Sequence, residues 1–188
     1  MPEVSPTRLA RGVLLLSFAA LACSKGPHLP RELTFEGVKL EKATDWSAGS
    51  VSGVVFVPPG EKAETASLWL GILASSEHAS GTALHTWVME QYRRSPTTQW
   101  HESSTFDEAC KVGIPALPEG QPLRPFVGLH VCRSVPGGSA CAEADERLSE
   151  EIVNRCVTRW DCWDELCTQK WTARRAALEA VLSGVGAR

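Results

Sequence analysis

Residues 67–74 read Ser-Leu-Trp-Leu-Gly-Ile-Leu-Ala, and this stretch decides the fold class. Apolar residues fall on both alternating phases, which is typical of a strand buried on both faces in the middle of a sheet. A short buried helix has the same composition, so periodicity alone leaves that alternative open. A second strand is predicted over residues 51–57, because the run is rich in β-branched residues and stops at Pro58, which cannot donate to a ladder.

Further strands are predicted on either side of this pair. Residues 33–41 alternate apolar and polar, and the phase slips at Gly37, so they form one bulged strand or two short ones. Residues 126–133, Phe-Val-Gly-Leu-His-Val-Cys-Arg, predict another strand. Residues 44–50 are predicted to turn, and the glycine- and proline-rich residues 111–125 to form a loop.

Helical spacing appears in two places. Leu84, Val88 and Tyr92 predict a helix over residues 82–94, with Thr82 as a candidate cap. From Ala142 the pattern again favours helix, and a second C-terminal helix is predicted over residues 170–182. The sequence therefore predicts an α+β fold: a small antiparallel sheet with one middle helix and a disulfide-stapled C-terminal helical hairpin.

The N-terminal residues have the organisation of an export signal. Arg8 and Arg11 precede an apolar run of about ten residues, which ends in Ala20-Leu21-Ala22-Cys23. The run is too short to cross a bilayer, which takes roughly 20 residues. An ordinary secretory signal cleaved near Ala22 is the alternative interpretation.

Residues 1–24 resemble the signal region of bacterial lipoproteins, with a lipobox-like motif that ends at Cys23. The class prefers an aliphatic residue three positions before the cysteine, where this chain has Ala20. The resemblance implies a signal peptide over 1–22 and a lipidated Cys23. It also implies an anchor in the cell envelope. No aspartate follows Cys23, which favours the outer membrane over the inner membrane.

Two prolines and a glycine within residues 24–31 predict a tether, so residues 23–31 are expected to be the lipidated cysteine and tether. The length and patterning of residues 32–188 predict a single α+β domain.

The cysteine count agrees with export. Six cysteines remain after Cys23, an even number, and they all lie in the second half of the chain, in a cysteine-rich part over residues 110–167. A disulfide framework is the expected use of such cysteines in an oxidising compartment, although six cysteines allow 15 pairings. The predicted disulfide cysteines are Cys110, Cys132, Cys141, Cys156, Cys162 and Cys167.

The charge balance argues against a nucleic-acid partner. The chain has 19 basic and 22 acidic residues, and removal of residues 1–22, which include Arg8, Arg11 and Glu3, changes the net charge from −3 to −4. Nucleic-acid binding calls for a basic face, which this composition does not supply. The membrane contact that we expect is therefore made through the lipid anchor.

No motif in the sequence predicts a metal, a cofactor or a catalytic residue. Cys156, Cys162 and Cys167 lack the spacing of a zinc site, and His130, in mid-strand, is expected to be half-exposed rather than a ligand. Two weaker enzyme hypotheses, for a secreted hydrolase or effector, rest on separate clusters. These clusters are Ser76 with His78, and the carboxylates Asp161, Asp164 and Glu165.

Tryptophan is more frequent than usual, with 7 in 188 residues. Four of them lie in polar or irregular segments and form a candidate binding surface, since interfaces favour tryptophan. They are Trp46, Trp100, Trp160 and Trp163. The sequence therefore favours a non-enzymatic envelope component that binds a protein or a cell-wall glycan.

Overall fold

The fold was taken from a computed structural model, which describes residues 27, 29, 30, 32–63, 66–94, 98–104, 107–115, 125–156 and 159–186, without the side chains of 98–104, 114, 115 and 160. These residues form eight strands and three helices. The strands are β1 (Glu32–Phe35), β2 (Val38–Ala48), β3 (Val51–Val57), β4 (Leu68–Ser75), β5 (Thr98–Ser104), β6 (Glu108–Pro115), β7 (Phe126–Val135) and β8 (Gly138–Arg147). The helices are α1 (Gly81–Arg93), α2 (Glu150–Cys156) and α3 (Trp160–Ser183).

All eight strands belong to one antiparallel sheet, in the order β1-β2-β3-β4-β8-β7-β6-β5. The stretch at 67–74 forms β4, which lies between β3 and β8 and so confirms the prediction of a central strand. Leu70 and Ile72 are fully buried on one face, and Leu73 is buried on the other. The short-helix alternative for this stretch is excluded.

Helices cover the two faces of the sheet. α3 packs on one face, where its Leu178 and Leu182 join the main core with Leu70, Leu129 and other alternate strand residues. α1 packs on the opposite face against the ends of β3, β4, β7 and β8. Each strand residue therefore faces either α3 or the α1 side, and a slip of one residue would exchange the two sets.

The prediction of a small sheet is wrong, because the sheet has eight strands. One of the missed strands lies where the sequence predicted a helix. β8 occupies part of the segment assigned to helix from Ala142 onwards. Ala140, Ala142 and Ala144 are fully buried on the α3 side, and Glu143 between them is fully buried on the α1 side. The start of the segment assigned to helix is therefore a strand buried on both faces.

The prediction of a helical hairpin is also wrong. The cysteine- and tryptophan-rich segment that begins at Trp160 precedes the predicted helix at 170–182, yet it is the first half of the 24-residue helix α3. Cys162, Trp163 and Leu166 are all buried at helical spacing, so this half of α3 packs on the sheet as the second half does. α2, with seven residues, is too short to form the other arm.

Local predictions gave mixed results. β1 and β2 are two strands separated by a turn at Glu36 and Gly37, whose φ angles are 51° and 80°. β2 continues to Ala48, so only residues 49 and 50 of the predicted turn at 44–50 form a turn. β2 has a bulge between Lys42 and Thr44, and β6 occupies part of the predicted loop. α1 is confirmed, although Ser80 rather than Thr82 caps it by accepting from the backbone N–H of Ala83.

All six predicted disulfide cysteines are paired. Cys110–Cys167 joins β6 to α3, Cys132–Cys141 joins the neighbouring strands β7 and β8, and Cys156–Cys162 joins α2 to α3. The first bridge closes the longest loop, with a sequence separation of 57. In the chain-entropy account it therefore constrains the unfolded chain most.

Charged side chains hold α3 to the sheet near the Cys110–Cys167 bridge. The guanidinium of Arg133 on β7 donates to Asp107 and Glu108 beside β6 and to Glu179 on α3. Arg175 on α3 also donates to Glu108, at 2.9 Å. This network and the disulfide both hold α3 against β6 and β7.

Part of the predicted tether packs on the domain. Pro27 is buried, and Leu29 contacts the main core. No helix in the described part of the chain has the length and hydropathy needed to cross a membrane.

Candidate functional site

Titratable side chains are concentrated on the α1 side of the sheet, where they are largely shielded from solvent. We call this group the buried polar cluster. Three strands, β6, β7 and β8, and the helix α1 contribute to it. Its members are His85, Tyr92, Lys111, His130, Glu143 and Asp145.

Strand register places these residues next to one another. Lys111 on β6 pairs with Gly128 on β7, and Gly128 pairs with Asp145 on β8. Two residues further along β7, His130 pairs with Glu143 on β8. Alternation in each strand sends all of these positions to the α1 side, because their neighbours Val112, Leu129 and Ala144 face α3.

Lys111 and Glu143 form a charged pair at the centre of the cluster. Lys111 Nζ donates to Glu143 Oε1, and the two side chains are 2% and 1% exposed. Tyr92 from α1 donates its hydroxyl to Glu143 Oε2. The ring of Tyr92 also lies over the ammonium, with 3.5 Å between Nζ and the ring centroid, so α1 covers the pair.

Gly128 makes the Lys111–Glu143 contact available. The two residues lie on strands separated by β7, so the lysine side chain has to cross the backbone of β7. A Cβ at position 128 would overlap both Lys111 Cε and Asp145 Oδ1. The sequence therefore needs glycine here for close approach rather than for an unusual backbone conformation.

Asp145 lies beside the pair and makes a weaker contact. Its Oδ1 is 3.8 Å from Lys111 Nζ, and this oxygen is buried without a hydrogen-bond partner among the described residues. The side chain as a whole is 20% exposed. Burial raises the pKa of Asp145, and the positive charge of Lys111 opposes that rise.

Burial also changes the lysine. Desolvation lowers the pKa of Lys111 to about 8, against the opposing effect of the Asp145 charge. Together with the raised pKa of Asp145, this brings the pKa values of the two groups nearer to each other. Such shifts are common where a buried amine or acid has a chemical role, although buried structural pairs show them too.

A histidine pair extends the cluster towards the Cys132–Cys141 bridge. His85 Nδ1 and His130 Nε2 are 2.7 Å apart, and His130 is fully buried. Burial, with repulsion from Lys111 and His85, holds the pKa of His130 well below its ordinary value. The expectation of a half-exposed His130 is therefore wrong.

The same histidines suggest a metal site, but their third neighbour cannot complete it. His85, His130 and Cys132 place their donor atoms within 4.8 Å of one another. The sulfur of Cys132 is already bonded to Cys141, and a disulfide sulfur is not the thiolate that binds zinc. In the oxidised protein this group is a pair of imidazoles beside a disulfide.

The predicted serine–histidine cluster has a structural role. His78 Nδ1 is 2.8 Å from the hydroxyl of Ser75, not of Ser76. Ser75 is 1% exposed, and its hydroxyl also accepts from the backbone N–H groups of Glu77 and His78. This pattern closes the loop after β4 and pairs His78 with a buried hydroxyl other than that of the candidate Ser76.

The predicted carboxylates of α3 separate into different roles. Asp161 forms an exposed pair with Arg159, at 2.5 Å, and this hydrogen bond lowers the pKa of Asp161. Glu165 is exposed. Asp164 lines an open cavity of about 450 Å³ between β6 and α3, which we call the β6–α3 cavity. Its other side chains include Glu108, Cys110, Cys167, Thr168 and Trp171.

The predicted tryptophan surface is only partly present. Trp46 is 40% exposed, and its ring lies over Gly53 on the neighbouring strand. Trp163 is 5% exposed and belongs to the main core, so its assignment to an exposed surface is wrong. The side chains of Trp100 and Trp160 lie outside the described residues. Trp171, which the sequence did not single out as a binding residue, is partly buried and forms a wall of the β6–α3 cavity.

Comparison with known proteins gives no further information: no protein-family model, curated protein or solved structure is significantly similar to this chain.

The histidine pair predicts a specific acid sensitivity. Below the unfolded-state pKa of about 6.5, the unfolded chain protonates His130, whereas the folded protein does not until its lower pKa is reached. Stability is therefore lost as the pH falls below about 6.5, by up to about 1.4 kcal/mol per pH unit from this residue.

The measurement is urea denaturation of the protein and of a His130→Gln variant across this pH range. The variant has a smaller slope of unfolding free energy against pH, whatever its stability at neutral pH. Equal slopes for the two proteins would contradict the assignment.

Proposed function

We propose that the chain is an exported lipoprotein of the bacterial cell envelope, anchored through Cys23, whose domain is a non-enzymatic binding component. The observation that carries this proposal is the pairing of all six later cysteines with one another. Three disulfides call for an oxidising compartment, as the export signal does. The pairing also leaves no described cysteine as a partner for Cys23, which supports another use for that thiol.

The distance from Cys23 to the domain supports a function close to the membrane. Pro27 is the first described residue and is buried. Four residues of fully extended chain span at most about 14 Å. A lipid on Cys23 therefore holds the domain near the bilayer surface, within reach of an envelope partner. We place it at the outer membrane, because no aspartate follows Cys23.

The β6–α3 cavity is the binding site that the described side chains support best. Its volume of about 450 Å³ is within the range of small-ligand sites. Trp171 offers an aromatic wall, and Thr168 and Asp164 offer polar groups on the same helix. An aromatic ring beside hydroxyl and carboxylate groups suits a sugar, which presents both C–H and O–H groups. We therefore favour a cell-wall glycan as the ligand, with an envelope protein as the other class of partner.

The cavity has a rigid frame, which supports binding without rearrangement. Its two sides are joined by the Cys110–Cys167 disulfide. Glu108 at its edge is held by Arg133 and Arg175. A pre-organised site loses less conformational entropy on binding, so fewer contacts with a glycan are needed for a given affinity.

The anchor is tested by a Cys23→Ser variant. The wild-type protein expressed in a diderm bacterium incorporates labelled fatty acid and sediments with the outer-membrane fraction. The variant incorporates none and is found away from that fraction, although its three disulfides still form. Incorporation of label into Cys23→Ser would contradict lipidation at this residue, and unlabelled wild-type protein would contradict the anchor altogether.

The binding site is tested by a Trp171→Ala variant against purified cell-wall sacculi. Loss of a stacked aromatic ring at the centre of a binding site costs about 2 kcal/mol or more, which is roughly a thirtyfold loss of affinity. Trp46→Ala is the matched control, because it removes an exposed tryptophan from the other end of the sheet. If Trp46→Ala loses binding and Trp171→Ala does not, the cavity is not the site.

A further inference from the structure

The centre of the buried polar cluster has the parts of a condensation reaction. We propose that Lys111 and Glu143 are joined by an intramolecular isopeptide bond between Nζ and Cδ, formed after folding with the loss of one water molecule. The bond would join β6 to β8 and pass over β7, which lies between them. This inference concerns the folded domain and does not depend on the lipid anchor or on glycan binding.

Geometry brings the reacting atoms together. Nζ of Lys111 contacts Oε1 of Glu143, which is bonded to the Cδ that an amine would attack. Gly128 opens the path of the lysine over β7, since a Cβ there would overlap the side chain. Both side chains are held by strand register and are almost completely buried, so they stay in this arrangement. Well-oriented groups react with effective molarities of roughly 10⁵–10⁸ M.

The surroundings favour the reactive protonation states. An amine attacks only when it is neutral, and burial lowers the pKa of Lys111 to about 8. A proton that passes from the ammonium to the Glu143 carboxylate gives an amine and a carboxylic acid, which avoids two buried charges. The hydroxyl of Tyr92 donates to Oε2 of Glu143, where negative charge develops during attack.

Asp145 is placed to transfer the protons. Its Oδ1 is 3.8 Å from Nζ, buried, and without a hydrogen-bond partner within the described residues. A buried oxygen of this kind calls for an explanation. Burial raises the pKa of Asp145, so its carboxyl can both give and take a proton.

The step balances without an oxidant or a co-reactant. The Nζ lone pair forms a bond to Cδ, and a proton from the amine passes to Asp145. The Cδ–Oε1 bond then breaks, and Asp145 returns a proton to the departing hydroxyl, which leaves as water. The low exposure of the pair keeps bulk water away from the new amide, which protects it from hydrolysis.

The alternative is an ordinary buried ion pair. Such a pair also contacts through Nζ and Oε1, so contact alone does not separate the two states. They differ by one water molecule in mass and by the chemistry of Lys111. In the ion pair Asp145 is only a second opposite charge 3.8 Å from Lys111 Nζ, whereas the condensation assigns it a step.

The test is the intact mass of the purified exported protein after reduction and alkylation of all six disulfide cysteines under denaturing conditions. The cross-linked chain is lighter by one water molecule than the mature chain with its alkylated cysteines and any lipid on Cys23, and the Lys111→Arg variant provides the reference for that mass. Trypsin then fails to cleave after Lys111 and gives a branched peptide made of residues 95–133 and 134–147. A wild-type protein that forms its three disulfides, has the full sequence mass and is cleaved after Lys111 overturns the proposal.

Three variants sharpen the result. Lys111→Arg removes the reactive amine and retains the full mass. Glu143→Gln forms the same linked product by losing ammonia instead of water. Asp145→Asn keeps both reacting groups but stays largely at full mass; complete cross-linking of this variant would overturn the proton-transfer role of Asp145. Protection of the six cysteines from alkylation before reduction confirms that each variant has folded.

Discussion

The contact between Lys111 and Glu143 constrains the rest of the structure more than any other. Both side chains are almost fully buried, on strands that are not adjacent, and in the newly folded chain, before the proposed bond forms, each compensates the charge of the other. Loss of one partner would leave an uncompensated charge in the protein interior, which typically costs 3–5 kcal/mol. The contact therefore requires β6, β7 and β8 in one register, glycine at position 128, and α1 above the pair.

The two faces of the sheet follow from that register. With Lys111 and Glu143 on the α1 side, their neighbours Val112, Leu129 and Ala144 must face α3 and form the main core. The disulfides then hold each layer in place: Cys132–Cys141 lies under α1, and Cys110–Cys167 joins the sheet to α3. The buried polar cluster and the β6–α3 cavity thus both follow from the register of β6, β7 and β8.

Much of the sheet could be predicted from local pattern, and the errors have a common cause. β3, β4 and β7 were predicted from short runs of apolar and β-branched residues, and α1 was predicted from the helical spacing of its apolar residues. β8 was missed because Glu143 and Asp145 are charged strand residues facing inward, and their partner Lys111 is 32 residues away along the chain. Residues 140–144 show the alternation of a strand only if Glu143 is assumed to face the protein interior. The small alanines on its other face gave no further signal.

The candidate site shows the same limit of sequence reasoning. The disulfide cysteines were identified correctly because their even number and the predicted export signal indicate disulfides, whereas their pairing depends on the fold. Trp163 was assigned to a surface because its neighbours are polar, yet helix α3 turns it into the core. Lys111, Tyr92 and His130 had no motif to mark them, since their proximity arises from strand register and helix packing.

A double-mutant cycle on the free energy of unfolding tests the central contact most directly. Lys111→Met and Glu143→Leu each replace one charge by an apolar side chain, and the double variant replaces both. The account predicts that each single variant is destabilised by about 3–5 kcal/mol and that the double variant loses far less than the sum. Costs that simply add would show that the two residues do not interact, and the register that places them together would be wrong.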